Sequence, residues 1–117
     1  VELNLSSAKQ IGDLLGDMDS EEFRQHAHRL VDWIADYLAH PERYPVLSRS
    51  KPGDIVNALP GVAPDQGEAF ETMLADLERI VLPGVTHWNH PSFFAYFAIS
   101  GSAPGILGEM LSAAFNV

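Results

Sequence analysis

The sequence predicts a mainly helical chain: about three to four helices, a long proline-rich loop and a short extended aromatic segment. Three observations lead to this reading. Apolar residues recur at helical spacing in several separate stretches. Five prolines, Pro41, Pro45, Pro52, Pro60 and Pro64, interrupt that periodicity. Charge then all but disappears: residues 80–117 carry one charged side chain, Glu109, and the other 22 lie in residues 1–79.

From the N-terminus, residues 6–18 read as a short amphipathic helix, with Ile11, Leu14, Leu15 and Met18 at i, i+3, i+4 and i+7. Gly12 and Gly16 weaken it. The strongest helix covers residues 20–39. Asp19 or Ser20 can cap it, and Glu22 stands three residues after Asp19 as in a capping box. Phe23, Ala27, Leu30, Val31, Ile34, Tyr37 and Leu38 form its apolar stripe. It should end near His40, because Pro41 disfavours helical geometry in the residue before it. Residues 41–64 read as a loop, long for a connection inside a compact domain and therefore expected to run over another surface. Within it Ile55, Val56 and Leu59 can form a short helical turn. A second helix is expected over residues 67–81, with Phe70, Met73, Leu74, Leu77, Ile80 and Val81 on one face, stopped by Pro83-Gly84. Residues 85–91 make a polar-aromatic turn, and the run from Phe93 to Ile99 has extended preference, with a bend expected at Ser100-Gly101. A third helix should start near Pro104, a residue suited to a first helical turn, and present Ile106, Leu107, Met110, Leu111 and Ala114.

The totals exclude several function classes. A net charge of −9 is wrong for nucleic acid and for anionic membrane surfaces, both of which call for clustered Lys and Arg. The absence of Cys excludes disulfides and thiolate metal sites. No basic-then-apolar leader opens the chain, and no run reaches the roughly 18 apolar residues of a membrane span, so a cytoplasmic location is expected. The apolar tail exceeds what a few helices can cover, which implies packing against protein outside these residues.

Few residues are candidates for chemistry. A Schiff-base lysine needs a desolvated pocket. Lys9 lies in a polar segment and Lys51 in a solvated loop, so neither reads as a cofactor-binding residue. His26 and His28 point about 200° apart on a helix and cannot chelate together. His87 and His90 fall in a turn ended by Pro91, with no carboxylate set nearby, so no metal is expected. The carboxylates sit mostly on polar helix faces, where they solubilise. That leaves the aromatic cluster of Trp88, Phe93, Phe94, Tyr96 and Phe97. Such rings build either an apolar core or one wall of an apolar pocket, where the polar tips of Tyr96 and Trp88 can orient a flat ligand.

Three blocks of the sequence resemble a known family. Glu22-Phe23-Arg24 followed by residues 28–38, HRLVDWIADYL, resembles the opening helix of the aromatic-L-amino-acid decarboxylases. Residues 80–88, IVLPGVTHW, and residues 90–97, HPSFFAYF, followed by Gly108-Glu109-Met110-Leu111, are similar to that family's next blocks at the right spacing. The likeness covers roughly residues 19–117, and residues 1–18 look like an extension.

The resemblance implies a helical N-terminal arm of a fold-type-I pyridoxal-phosphate enzyme whose α/β cofactor domain is not in these residues. It implies decarboxylation of a small amino-acid substrate with pyridoxal 5'-phosphate held elsewhere in the enzyme. It also implies a homodimer in which residues 19–83 form a dimerisation arm and residues 84–117 lead into the cofactor domain. Substrate-side-chain contacts fall on Trp88, Tyr96 and Phe97, and on Ile99, which with Ala98 replaces the Pro-Thr pair of many animal and plant members. Thr can hydrogen-bond a ring substituent and Ile99 cannot, which puts catechol or phenol preference in question. The family's cofactor-stacking histidine, pyridine-pairing aspartate and Schiff-base lysine would all lie beyond Val117. The reading from another class is a stand-alone helical interaction module without enzymatic activity.

Overall fold

The computed structural model describes residues 16, 18–97, 99 and 101–116. Among them are four α-helices and no strand: α1 (Ser20–Ala39), α2 (Asp54–Ala58), α3 (Phe70–Asp76) and α4 (Ala103–Phe115). The helix expected over residues 6–18 lies almost wholly outside the described residues. The chain divides into two units, Val1–Ala39 and His40–Val117.

In the first unit, α1 has the bounds its caps dictate. Asp19 Oδ1 accepts the backbone N–H groups of Glu21 and Glu22, both at 2.9 Å, which satisfies two donors that a helix start otherwise leaves open. Arg24 grips Glu21 through two hydrogen bonds, Nε to Oε2 at 2.9 Å and Nη2 to Oε1 at 2.7 Å. These bonds, with one from Gln25, hold the Glu21 carboxyl below its ordinary pKa. Trp33 and Tyr37, one turn apart, stack with centroids 5.6 Å apart. Phe23 and Val31 of the apolar stripe remain exposed.

In the second unit, a 3-10 turn over Pro41–Arg43 leads into the loop. The helical turn expected around Ile55 and Val56 is present as α2. Gly53 precedes it at φ 95°, a left-handed conformation that side chains resist. The second predicted helix departs from expectation in two ways. It begins at Phe70 rather than residue 67, and after Asp76 it widens into a π turn over Leu77–Val81, closed by a 3-10 turn at Leu82–Gly84. A π turn inserts an extra residue and changes the rotational phase of the residues after it. Ile80 points inward as the periodicity expects and is only 4% exposed; Val81, placed on the same face, is turned out, and Met73, before the π turn, is exposed as well.

Part of the loop packs on the 3-10 turn at Leu82–Gly84. Ser48 and Ser50 both donate their hydroxyls to the Pro83 carbonyl, at 2.9 and 3.2 Å. Ile55 approaches Gly84 so closely that a Cβ there would lie 3.0 Å from its Cδ1. The interior of this unit among the described residues is small: Leu74, Ile80 and His87.

The aromatic run forms no strand. It has no neighbouring strand to pair with, and β-preference of aromatic residues is largely a preference for such packing. The chain bends at Ala95 and Tyr96; the bend expected at Ser100-Gly101 falls on Ser100, which lies outside the described residues. Helix α4 starts at Ala103, with Ser102 Oγ accepting the Gly105 N–H at 3.2 Å, and ends at Asn116 in a left-handed cap. Its Leu107, Met110, Leu111 and Phe115 are all exposed. No helix of the described residues is long and apolar enough to cross a membrane.

Candidate functional site

The site is built on two consecutive turns. The His90 N–H donates to the His87 carbonyl, and the Phe93 N–H to the His90 carbonyl, both at 3.0 Å. His90 Nδ1 accepts the Ser92 N–H at 3.0 Å, so this imidazole stabilises the second turn. Having turned twice, the chain brings three rings together. Tyr96 meets Trp88 edge-on with centroids 5.7 Å apart, and meets Phe93 edge-on at 5.1 Å. Perpendicular rings put the positive edge of one against the negative face of the other, which favours each pair by about 0.5–1.5 kcal/mol beyond area burial.

Of the four residues expected to contact a substrate side chain, the structure joins Trp88 and Tyr96 and adds Phe93 on Tyr96. Phe97 and Ile99 stand apart, 108% and 89% exposed. Trp88 and Tyr96 are themselves partly open, so the trio offers ring surface to whatever covers it. The only charged side chain in residues 80–117 is Glu109, and an apolar partner therefore fits this face better than an ionic one.

Beneath Trp88 lies a residue that sequence reasoning weighed only as a metal ligand. His87 is 1% exposed, the sole fully buried polar side chain among the described residues. Tyr44 stacks on it at 4.7 Å and 22°. Its backbone N–H donates to the Val46 carbonyl at 3.2 Å. The charge-free stretch around it carried no signal that told His87 from His90, which is only half-buried.

Burial lowers the His87 pKa below its ordinary 6.5; a hydrogen bond to the Leu82 backbone opposes this, and nearby His90 adds to it. As pH falls through about 6.5, His87 is protonated more readily in the unfolded chain than in the folded one, so its contribution to stability falls with pH. The Tm gap between wild type and His87→Gln should be widest above about pH 7.5 and shrink on acidification to about pH 5.5. A gap independent of pH would show that His87 titrates alike in both states.

Lys51 is exposed, and its backbone N–H is tied to Asp54 Oδ2 at 2.7 Å at the start of α2. It lacks the apolar pocket that a Schiff-base lysine requires. Lys9 lies outside the described residues. No group of three His, Cys, Asp or Glu converges to hold a metal among the described residues.

Comparison with known proteins gives this arrangement a family context. The family described as the pyridoxal-dependent decarboxylase conserved domain matches residues 52–117. The chain is 48% identical over 103 residues to tyrosine decarboxylase 2 of Narcissus pseudonarcissus, covering 88% of this chain and 21% of the relative. It is 51% identical over 100 residues to phenylacetaldehyde synthase of Petunia hybrida, covering 86% and 20%. The crystal structure of Catharanthus roseus tryptophan decarboxylase in complex with L-tryptophan superposes with a TM-score of 0.78 at 43% identity, covering 85% of this chain and 21% of that one. The chain thus spans about a fifth of the length of the relatives it matches.

Proposed function

From the premise that the chain belongs to the pyridoxal-dependent decarboxylase family, we propose that it is the N-terminal segment of an amino-acid decarboxylase, converting an amino acid to an amine and CO2. In this reading the segment contributes dimer contacts and one wall of the substrate pocket, and is not catalytically competent alone. Residues 19–83 form the dimerisation arm and residues 84–117 the pocket segment. The observation that carries the reading is the charge-free ring trio of Trp88, Phe93 and Tyr96, held edge to face yet left open.

The cofactor, pyridoxal phosphate, is held by protein beyond these residues and supplies an electron sink for carbanion formation. The segment's own contributions are shape and water exclusion. Trp88 and Tyr96 present ring surface to an aromatic substrate side chain, and Phe97 and Ile99, bare in this chain, become covered when the pocket is complete. Covering them removes water from the reacting region and strengthens every polar contact inside it. The relatives named for tyrosine and tryptophan make an aromatic amino acid the substrate class this reading favours.

The test is a competition assay in the complete enzyme. Tyr96→Ala should change the ratio of kcat/KM between L-tryptophan and L-tyrosine. Ile99→Thr should shift selection between phenylalanine and tyrosine toward tyrosine by about 1–3 kcal/mol, the scale of one hydrogen bond gained by the ring hydroxyl. Unchanged ratios in both variants would remove this segment from the pocket.

A further inference from the structure

We propose that Tyr44 and His87 are a positioning pair: without touching the substrate, they set where Trp88 and Tyr96 stand and so help select the size of the substrate's ring. The proposal rests on the reading of Trp88 and Tyr96 as pocket wall. It starts from a mismatch in burial. No ring of the trio is fully buried, and its edge-to-face contacts are among its own members. Something else must place the trio relative to the rest of the unit.

Among the described residues the buried attachment is the residue before Trp88. His87 is fully buried, its ring faces Tyr44 at 4.7 Å, and its backbone N–H is bonded to Val46. Its carbonyl in turn accepts the His90 N–H that opens the two turns leading to Phe93. The partner loop is itself pinned nearby, through the Ser48 and Ser50 hydroxyls on the Pro83 carbonyl. Tyr44 therefore sits between an anchored loop and the base of the ring trio. Removing its ring face lets His87 shift, and the shift passes along one peptide bond to Trp88. A displacement of a fraction of an ångström at a pocket wall changes how well rings of different size fit.

Competition between L-tryptophan and L-tyrosine in the complete enzyme reads this directly, because the ratio of the two kcat/KM values does not depend on how much enzyme is active. Tyr44→Leu and His87→Gln should each move the ratio by about fivefold, mainly through KM. Tyr44→Phe keeps the ring face and should retain the wild-type ratio. A pair that serves stability alone would lower the yield of active enzyme and leave the ratio untouched. If Tyr96→Ala moves the ratio while Tyr44→Leu and His87→Gln do not, the proposal is overturned and the pocket-wall reading survives. If Tyr96→Ala leaves it unmoved as well, the pocket-wall reading fails. A shift in only one of Tyr44→Leu and His87→Gln, or failure of both to fold, also overturns the pair.

Discussion

Ile80→Ala should cost the His40–Val117 unit about 2–5 kcal/mol, the range for emptying a buried aliphatic site of this size. Ordinary domains have only about 5–15 kcal/mol in total. The interior here is unusually thin, with Leu74, Ile80 and His87 as its buried residues among those described, so little else compensates. Ile80 also lies in the π turn of Leu77–Val81, whose widened hydrogen-bonding ring is held open by packing rather than by intrinsic preference. Loss of the side chain should therefore release the turn, the closing Leu82–Gly84 segment and the contact of Ile55 with Gly84 together. Hydrogen exchange provides the measurement. The amides of Val85 and His87, bonded to Leu82 and Val46, should lose protection in Ile80→Ala, whereas Val62→Ala at an exposed loop position should change stability by less than about 0.5 kcal/mol. Retained protection at His87 in Ile80→Ala would mean that the unit is held by something other than this small core.

The second large effect is expected at the proposed dimer arm. Val31 lies on the apolar stripe of α1 and is 40% exposed in this chain. If the complete enzyme covers that stripe with a second protomer or the large domain, Val31→Asp places a carboxylate where no partner awaits it. Burying an unpaired charge is severely unfavourable, so association should weaken by roughly 3 kcal/mol or more, about a hundredfold in Kd. In a two-fold dimer the substitution occurs twice, which enlarges the effect if the stripe lies near the axis. The neighbouring Asp32→Asn removes a charge from an exposed position and should leave assembly unchanged. Light scattering over a dilution series separates these outcomes. A dimer of wild-type strength in Val31→Asp would place the stripe outside the interface.

Much of this architecture could be read locally. Asp19 announced the start of α1 and Pro41 its end, because capping and proline restriction act over three or four residues. Pro104 likewise marked the first turn of α4, and the spacing of Ile55 and Val56 marked α2. The aromatic cluster was visible as a cluster, since its members lie within ten residues of one another. Its geometry was not. The run from Phe93 has extended preference, yet Tyr96 turns back onto Phe93 and Trp88 in a bend at Ala95 and Tyr96.

The sequence by itself determined the helical class, the ends of α1 and α4, the charge-free second half and the family likeness, all carried by spacing and composition along the chain. Only the tertiary structure decided that α3 is followed by a π turn and that, of Ile80 and Val81, only Ile80 is buried. It also decided that the proline-rich loop returns to Pro83 and that His87, at the start of its turn, is buried against Tyr44. Those outcomes depend on contacts between residues some forty positions apart. Closing such a loop costs conformational entropy, and whether burial and hydrogen bonding repay it is settled by how well the distant surfaces fit, which no local pattern records.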